Sequence, residues 1–264
     1  MIVDYHMHLR AEDESISHDV ETVERWVEAA AARGVDEIGF TEHVYYFVET
    51  RSLWTIPYEV ERCVYPIEPY VEAVLEGKSR GLPVKLGLEV DFKRGREEET
   101  RELLEPYPWD FLLGSVHYVG ELAIDSEPSA VEAVGVEEAY RLYSDELAAA
   151  AGSGLFDSLS HPDLIKFRGD VLPWDWSPVL DALDGTCLEV STAGLYKPHG
   201  RLYPEPEFLG AARERGVSIT LASDAHVPQN VGRDLDRGIE HARAAGYDTV
   251  TVFEARQPRQ VPLG

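Results

Sequence analysis

The chain of 264 residues is 44% hydrophobic and 28% charged, enough to bury a large core, and nowhere do about 18 uncharged apolar residues run together to suggest a membrane span. Its 49 Asp and Glu against 24 Lys and Arg give a formal net charge of -25 spread along the whole length, which leaves no basic stripe for nucleic acid or an anionic membrane. The acidic excess reads as a solvated surface. With no secretory leader at its start and two distant cysteines, Cys63 and Cys187, forming neither a disulfide framework nor a zinc motif, the expectation is a soluble cytoplasmic protein.

In chain order, short β-branched runs alternate with helical patterns, the signature of βα units around a parallel sheet. Strands are predicted at residues 2–6, 37–41, 84–89, 111–116, 157–160, 186–191, 218–222 and 249–253, and the clearest helices at 20–33, 136–151, 206–215 and 234–245. Gly34, Gly152, Gly216 and Gly246 follow those helices where a left-handed C′ residue is expected. No repeat or Pro/Gly-rich linker divides the chain, so residues 1–264 are expected to form a single barrel domain.

Potential ligands fall at the ends of these strands: His6 and His8 after the first, His43 after the second, Glu89 closing the third, His117 the fourth, His161 after the fifth, and Asp224 and His226 after the seventh. In a βα barrel the strand C-termini open onto one face, so these side chains converge. Residues two apart on an extended strand share a side, which pairs His6 with His8 and Asp224 with His226. Imidazoles mixed with carboxylates suit Zn, Mn or Fe, and so many ligands imply two to three divalent ions. His199, in a loop, and His241, within a helix, are set aside, while His18 stands in an N-cap segment and could serve either role.

These residues, in order, resemble the motifs of the polymerase-and-histidinol-phosphatase (PHP) superfamily: the opening His6-x-His8, then Thr41-Glu42-His43, Gly87-Leu88-Glu89-Val90, Gly114-Ser115-Val116-His117, Ser160-His161-Pro162-Asp163 and Ser223-Asp224-Ala225-His226. Gly154-Leu155-Phe156-Asp157 and the stretch from Ser191 through Lys197 to Pro198 are most similar to histidinol-phosphatases of that type. The resemblance implies a distorted (β/α)7 TIM-like barrel and a phosphatase that hydrolyses L-histidinol phosphate in histidine biosynthesis. It also implies one metal held by His6, His8, Glu89 and Asp224, a second by Glu89, His117 and His161, and a third by His18, His43 and His226, with a metal-bound hydroxide held by Glu89 and Asp224 as the attacking group.

Where family members often carry Lys-x-Phe-Gly, this chain reads Lys166-Phe167-Arg168-Gly169. Arg168, Lys197 and Arg201 are candidate hydrogen-bond donors to the phosphoryl oxygens. Glu42 is the carboxylate expected to meet the substrate's amine or imidazole, or to orient a metal-bound histidine, and the aromatic loop at 44–57 is a candidate wall. The same motifs also suit another phosphomonoester or a nucleotide, and a metal-binding barrel without catalysis is the reading from a different class.

Overall fold

The computed structural model describes residues 1–10, 15–125 and 128–264. Its strands are β1 (Val3–Asp4), β2 (Glu37–Phe40), β3 (Val84–Leu86), β4 (Glu89–Asp91), β5 (Leu113–Ser115), β6 (Tyr118–Val119), β7 (Leu122–Ala123), β8 (Ser158–Leu159), β9 (Cys187–Ser191), β10 (Ile219–Ala222), β11 (Thr249–Glu254) and β12 (Gln257–Pro262). The helices are α1 (Val20–Ala32), α2 (Pro57–Arg62), α3 (Ile67–Ser79), α4 (Glu97–Leu104), α5 (Pro128–Val134), α6 (Val136–Ala151), α7 (Ser177–Ala182), α8 (Pro206–Glu214) and α9 (Leu235–Ala244). Among the described residues no helix is long and apolar enough to cross a membrane.

Parallel pairing runs β1-β2-β3 in one sheet and β4-β5-β8-β9-β10 in the other. β3 and β4 are two halves of one run of chain, separated by Gly87 and Leu88, and Tyr5 N donates to Leu221 O at 2.9 Å to join β1 to β10. Seven strand runs therefore close the distorted barrel, with β3 handing over to β4. The eighth predicted strand, residues 249–253, stays outside this ring. As β11 it folds back antiparallel on β12, and the turn residues Ala255 and Arg256 donate their backbone N–H groups to Asp110. Asp110 and Asp157, which also binds Arg256, precede β5 and β8, so the hairpin covers the end of the barrel opposite the ligands.

Local chemistry explains the helix ends. The Asp19 carboxylate caps α1 by accepting from Thr22 N at 2.7 Å, and Val20, Val23, Trp26 and Ala30 form its buried stripe. Gly34, Gly216 and Gly246 take the left-handed conformation expected of them. Gly152 does not: its φ is -82°, and the left-handed turn falls two residues later at Gly154.

An aromatic stack fills the barrel. The Phe111 ring lies 5.1 Å from that of Tyr5 and 5.5 Å from that of Phe253, and it presses on the bare backbone of Gly39 and Gly87. A Cβ at Gly87 would lie 2.6 Å from Phe111 Cζ and 2.9 Å from the Phe40 carbonyl oxygen, so there the close approach demands glycine. Gly87→Ala is expected to cost about 1–3 kcal/mol by overpacking, read as a lower urea midpoint at unchanged slope. A midpoint equal to wild type would show that the stack can shift.

Candidate metal centre

Barrel closure brings the strand ends together. Single parallel bridges between Met7 and Ala225 and between His43 and Glu89 continue the ladders beyond the strands, so the ligand backbones are held in register. Two of these residues adopt backbone conformations unusual for side-chain-bearing residues, His161 with φ of 25° and Asp224 with φ of 51°. Glu189 Oε1 accepts the His161 backbone N–H at 3.1 Å and secures that turn.

Glu89 is the hub. Its carboxylate is fully buried, and imidazole nitrogens of His6, His8, His43, His117 and His161 lie 3.5, 3.8, 2.6, 3.6 and 3.1 Å from its oxygens. Asp224 Oδ1 stands 3.6 Å from Nε2 of both His6 and His8 and 3.5 Å from His226 Nδ1. Among the described residues three groups have ligand atoms within 4.8 Å of one another: His6, Glu89 and His161; His6, His8 and Asp224; and His8, His43 and His226.

Burial alone would raise the carboxyls of Glu89 and Asp224, but the surrounding imidazoles outweigh it and hold both well below the usual carboxylate range. Burial and the neighbouring His8 push His43 down to about 4 and His226 down to about 3. The centre thus combines anionic carboxylates with two rings, His43 and His226, kept neutral with lone pairs available, whereas the facing carboxylates overcome burial to raise His6, His8 and His117 and favour a cation beside them. Several atoms of the cluster, including His6 Nε2, both nitrogens of His8, His43 Nδ1 and Glu89 Oε2, are buried without a hydrogen bond. Such atoms are costly to leave unmatched. A mixed N/O donor set of this kind fits divalent Zn, Mn or Fe.

A second ring of carboxylates aims the imidazoles. His6 Nδ1 donates to Glu189 Oε2 at 2.9 Å and His117 Nδ1 donates to Asp91 Oδ1 at 2.7 Å, which turns each Nε2 towards Glu89. Neither Glu189 nor Asp91 was anticipated from the sequence, although Asp91 shares strand parity with Glu89. Asp91→Asn is expected to lower metal affinity and turnover roughly 10- to 100-fold together. Metal titration and phosphate-release kinetics would check this, and unchanged values would reduce Asp91 to packing.

The other expected site residues are placed as follows. His18 stands outside the three groups, its Nε2 3.6 Å from Glu42 Oε1 and its ring beside Tyr65, Tyr70 and Phe47. Glu42 is fully buried between His18 and His8, whose Nδ1 is 3.7 Å from Oε2, and Oε1 accepts the Leu9 N–H at 2.7 Å. Despite burial, His18 and His8 pull its carboxyl well below the ordinary range. This is the place of a carboxylate that orients His8 from beneath, outside the lining of the cleft.

Above the centre opens a cleft of about 180 Å³, floored by His43, Glu89, His117, His161, Asp224 and His226. Lys197 lines it, with Nζ 5.0 Å from the Phe167 ring. Arg168 does not line it. Arg201 is likewise drawn away, because Glu205 Oε2 binds it at 2.8 Å on an exposed flank. The cation at the cleft that the sequence reading missed is Arg10, which donates to the Tyr46 hydroxyl while its buried Nε makes no hydrogen bond. It follows His6 and His8 at the same strand parity, and that was the available signal. Tyr45 and Tyr46 of the aromatic loop form a wall, joined by Tyr58.

Comparison with known proteins agrees with this arrangement. The family model described as PHP domain matches residues 4–196. A Deinococcus radiodurans protein named probable histidinol-phosphatase is 36% identical over 242 residues, covering 89% of this chain and 91% of its own length. The Bacillus subtilis histidinol-phosphatase is 26% identical over 254 residues, covering 83% and 92%. The crystal structure of Lactococcus lactis histidinol phosphate phosphatase, complexed with Zn, L-histidinol and phosphate, shares the fold with a TM-score of 0.77 at 20% identity, covering 98% of each chain.

Proposed function

The chain belongs to the PHP domain family, and from that membership we propose that it is a metal-dependent phosphomonoesterase that hydrolyses L-histidinol phosphate to L-histidinol and phosphate. The observation that carries the reading is the convergence of six imidazoles and two carboxylates on one centre, four of the imidazoles and both carboxylates lining a cleft that Arg10 and Lys197 also line. A phosphomonoester dianion needs cations on more than one side, and its leaving alcohol needs an opening.

His6, His8, Glu89 and Asp224 would hold one divalent ion, Glu89, His117 and His161 a second, and His43 and His226, with His18 or His8, a third. Zn, Mn or Fe bound there would lower the pKa of a water molecule towards neutrality and neutralise charge on the phosphoryl oxygens. Arg10 and Lys197 bind the outer phosphoryl oxygens, and Tyr46 fixes the Arg10 guanidinium by accepting from it. Tyr45, Tyr58 and Phe167 wall the cleft and limit water around the phosphate. Glu89 and Asp224 hold the ligand set, while Glu189, Asp91 and Glu42 fix ring orientation before substrate arrives. Residues 1–264 act as one domain, in the cytoplasm, within histidine biosynthesis.

Phosphate release from L-histidinol phosphate by metal-loaded protein tests the reading against a panel of nucleotides and aryl phosphates. Preference for L-histidinol phosphate is expected. Faster turnover of a nucleotide would move the substrate, and full metal loading with no hydrolysis of any phosphoester would leave a binding protein.

A further inference from the structure

Resting on that substrate reading, we infer that Asp125 is the carboxylate that binds the ammonium group of L-histidinol phosphate, and so selects a β-amino phosphate over a plain alkyl phosphate. The position arises from a short hairpin. After His117 the chain runs through β6, turns at Gly120, where φ is 61°, and returns through β7. Ile124 N then donates to His117 O at 2.9 Å. The next residue, Asp125, is thereby set beside a metal-ligand candidate although eight positions separate them in the chain.

Three observations make this carboxylate a binding group. Asp125 lines the cleft together with Glu89 and Asp224, but those two are engaged by imidazoles, whereas Asp125 makes no hydrogen bond or ion pair among the described residues. It stands near enough to His117 and Tyr203 for its charge to act on both. In the same cleft Arg10 and Lys197 supply the opposite sign.

The substrate has the matching pattern. In L-histidinol phosphate only two carbons and an oxygen stand between the ammonium nitrogen and phosphorus. A carboxylate that takes the ammonium while the phosphate lies over the centre must therefore stand at the edge of the ligand cluster, beside a group such as His117, and not at the distant mouth. Glu42 is ruled out of this role by its burial between His8 and His18.

The test compares L-histidinol phosphate with its desamino analogue, 3-(imidazol-4-yl)propyl phosphate, on metal-loaded wild type, Asp125→Asn and Asp125→Glu. Wild type is expected to favour the amine-bearing substrate roughly 10- to 100-fold in kcat/KM, mostly through KM, as a charge-assisted contact implies. Asp125→Asn should lose most of that preference, with a loss on the analogue at least tenfold smaller, and Asp125→Glu should regain part of it. Equal losses on both substrates, with or without loss of metal, would make Asp125 a support for His117 and overturn the inference. A wild type indifferent to the amine would overturn it too while leaving a phosphatase. Wild type that cleaves neither compound but turns over other phosphoesters would fail the substrate reading itself, and that result appears before any variant is compared.

Discussion

Glu89→Gln is expected to reduce turnover about 10²- to 10³-fold and to leave the centre under-loaded with metal. Glutamine keeps the volume of the side chain, so the barrel should still fold. What it removes is the negative charge that five imidazole nitrogens approach within 3.8 Å in a fully buried setting. Removing one partner from a buried charged cluster costs roughly 3–5 kcal/mol, and each 1.4 kcal/mol is a factor of ten. The carboxyl is held anionic far below neutral pH, so the loss should be the same throughout the range in which the enzyme is folded. Metal analysis, phosphate release and circular dichroism on one preparation would decide it. Full metal content with activity within tenfold of wild type would show that Glu89 does not join the metal sites.

The second large effect concerns stability. Stripping metal with a chelator is expected to lower Tm by roughly 10 °C or more for each tight site emptied. His6 Nε2, both nitrogens of His8, His43 Nδ1 and Glu89 Oε2 are buried without a hydrogen bond, so bound cations stabilise the folded state alone. A ligand at about a thousand times its Kd contributes about 4 kcal/mol, and about 2–4 °C follow from each kcal/mol in a chain of this size. Calorimetry before chelation, after it, and after Zn or Mn is returned would measure this. Glu89→Gln should show a smaller chelator-dependent shift than wild type. A wild-type Tm indifferent to chelator would mean that the protein satisfies this cluster by itself.

Local signals carried much of the architecture. The short β-branched runs at residues 186–191 and 218–222 and the glycine stops at Gly34, Gly216 and Gly246 reappear as β9, β10 and helix ends, because strand propensity and left-handed C′ residues depend on near neighbours. The split between β3 and β4 was not legible. Residues 84–89 read as one strand, and only the need to pair with β2 on one side and β5 on the other divides it at Gly87. The short helix α4 also escaped, since its residues Glu97–Leu104 are mostly charged and bury only Thr100 and Leu104 within the helix.

The sequence by itself indicated which side chains converge: six histidines, Glu89 and Asp224 sit at or just after strand ends, and a parallel barrel sends all such ends to one face, whereas His18, also expected as a ligand, stands outside the clustered groups of the described residues. Tertiary structure decided their company. Glu189 reaches His6 across 183 positions, and His161 reaches Glu89 across 72. It also decided which charges face substrate: Glu42 is enclosed between His8 and His18, Arg201 is drawn off by Glu205, and Arg10 and Asp125 reach the cleft. The physical reason is that strand periodicity is a property of adjacent residues, whereas the partner of a charged group depends on barrel closure, on register between strands distant in sequence, and on which carboxylate the packed interior leaves nearest.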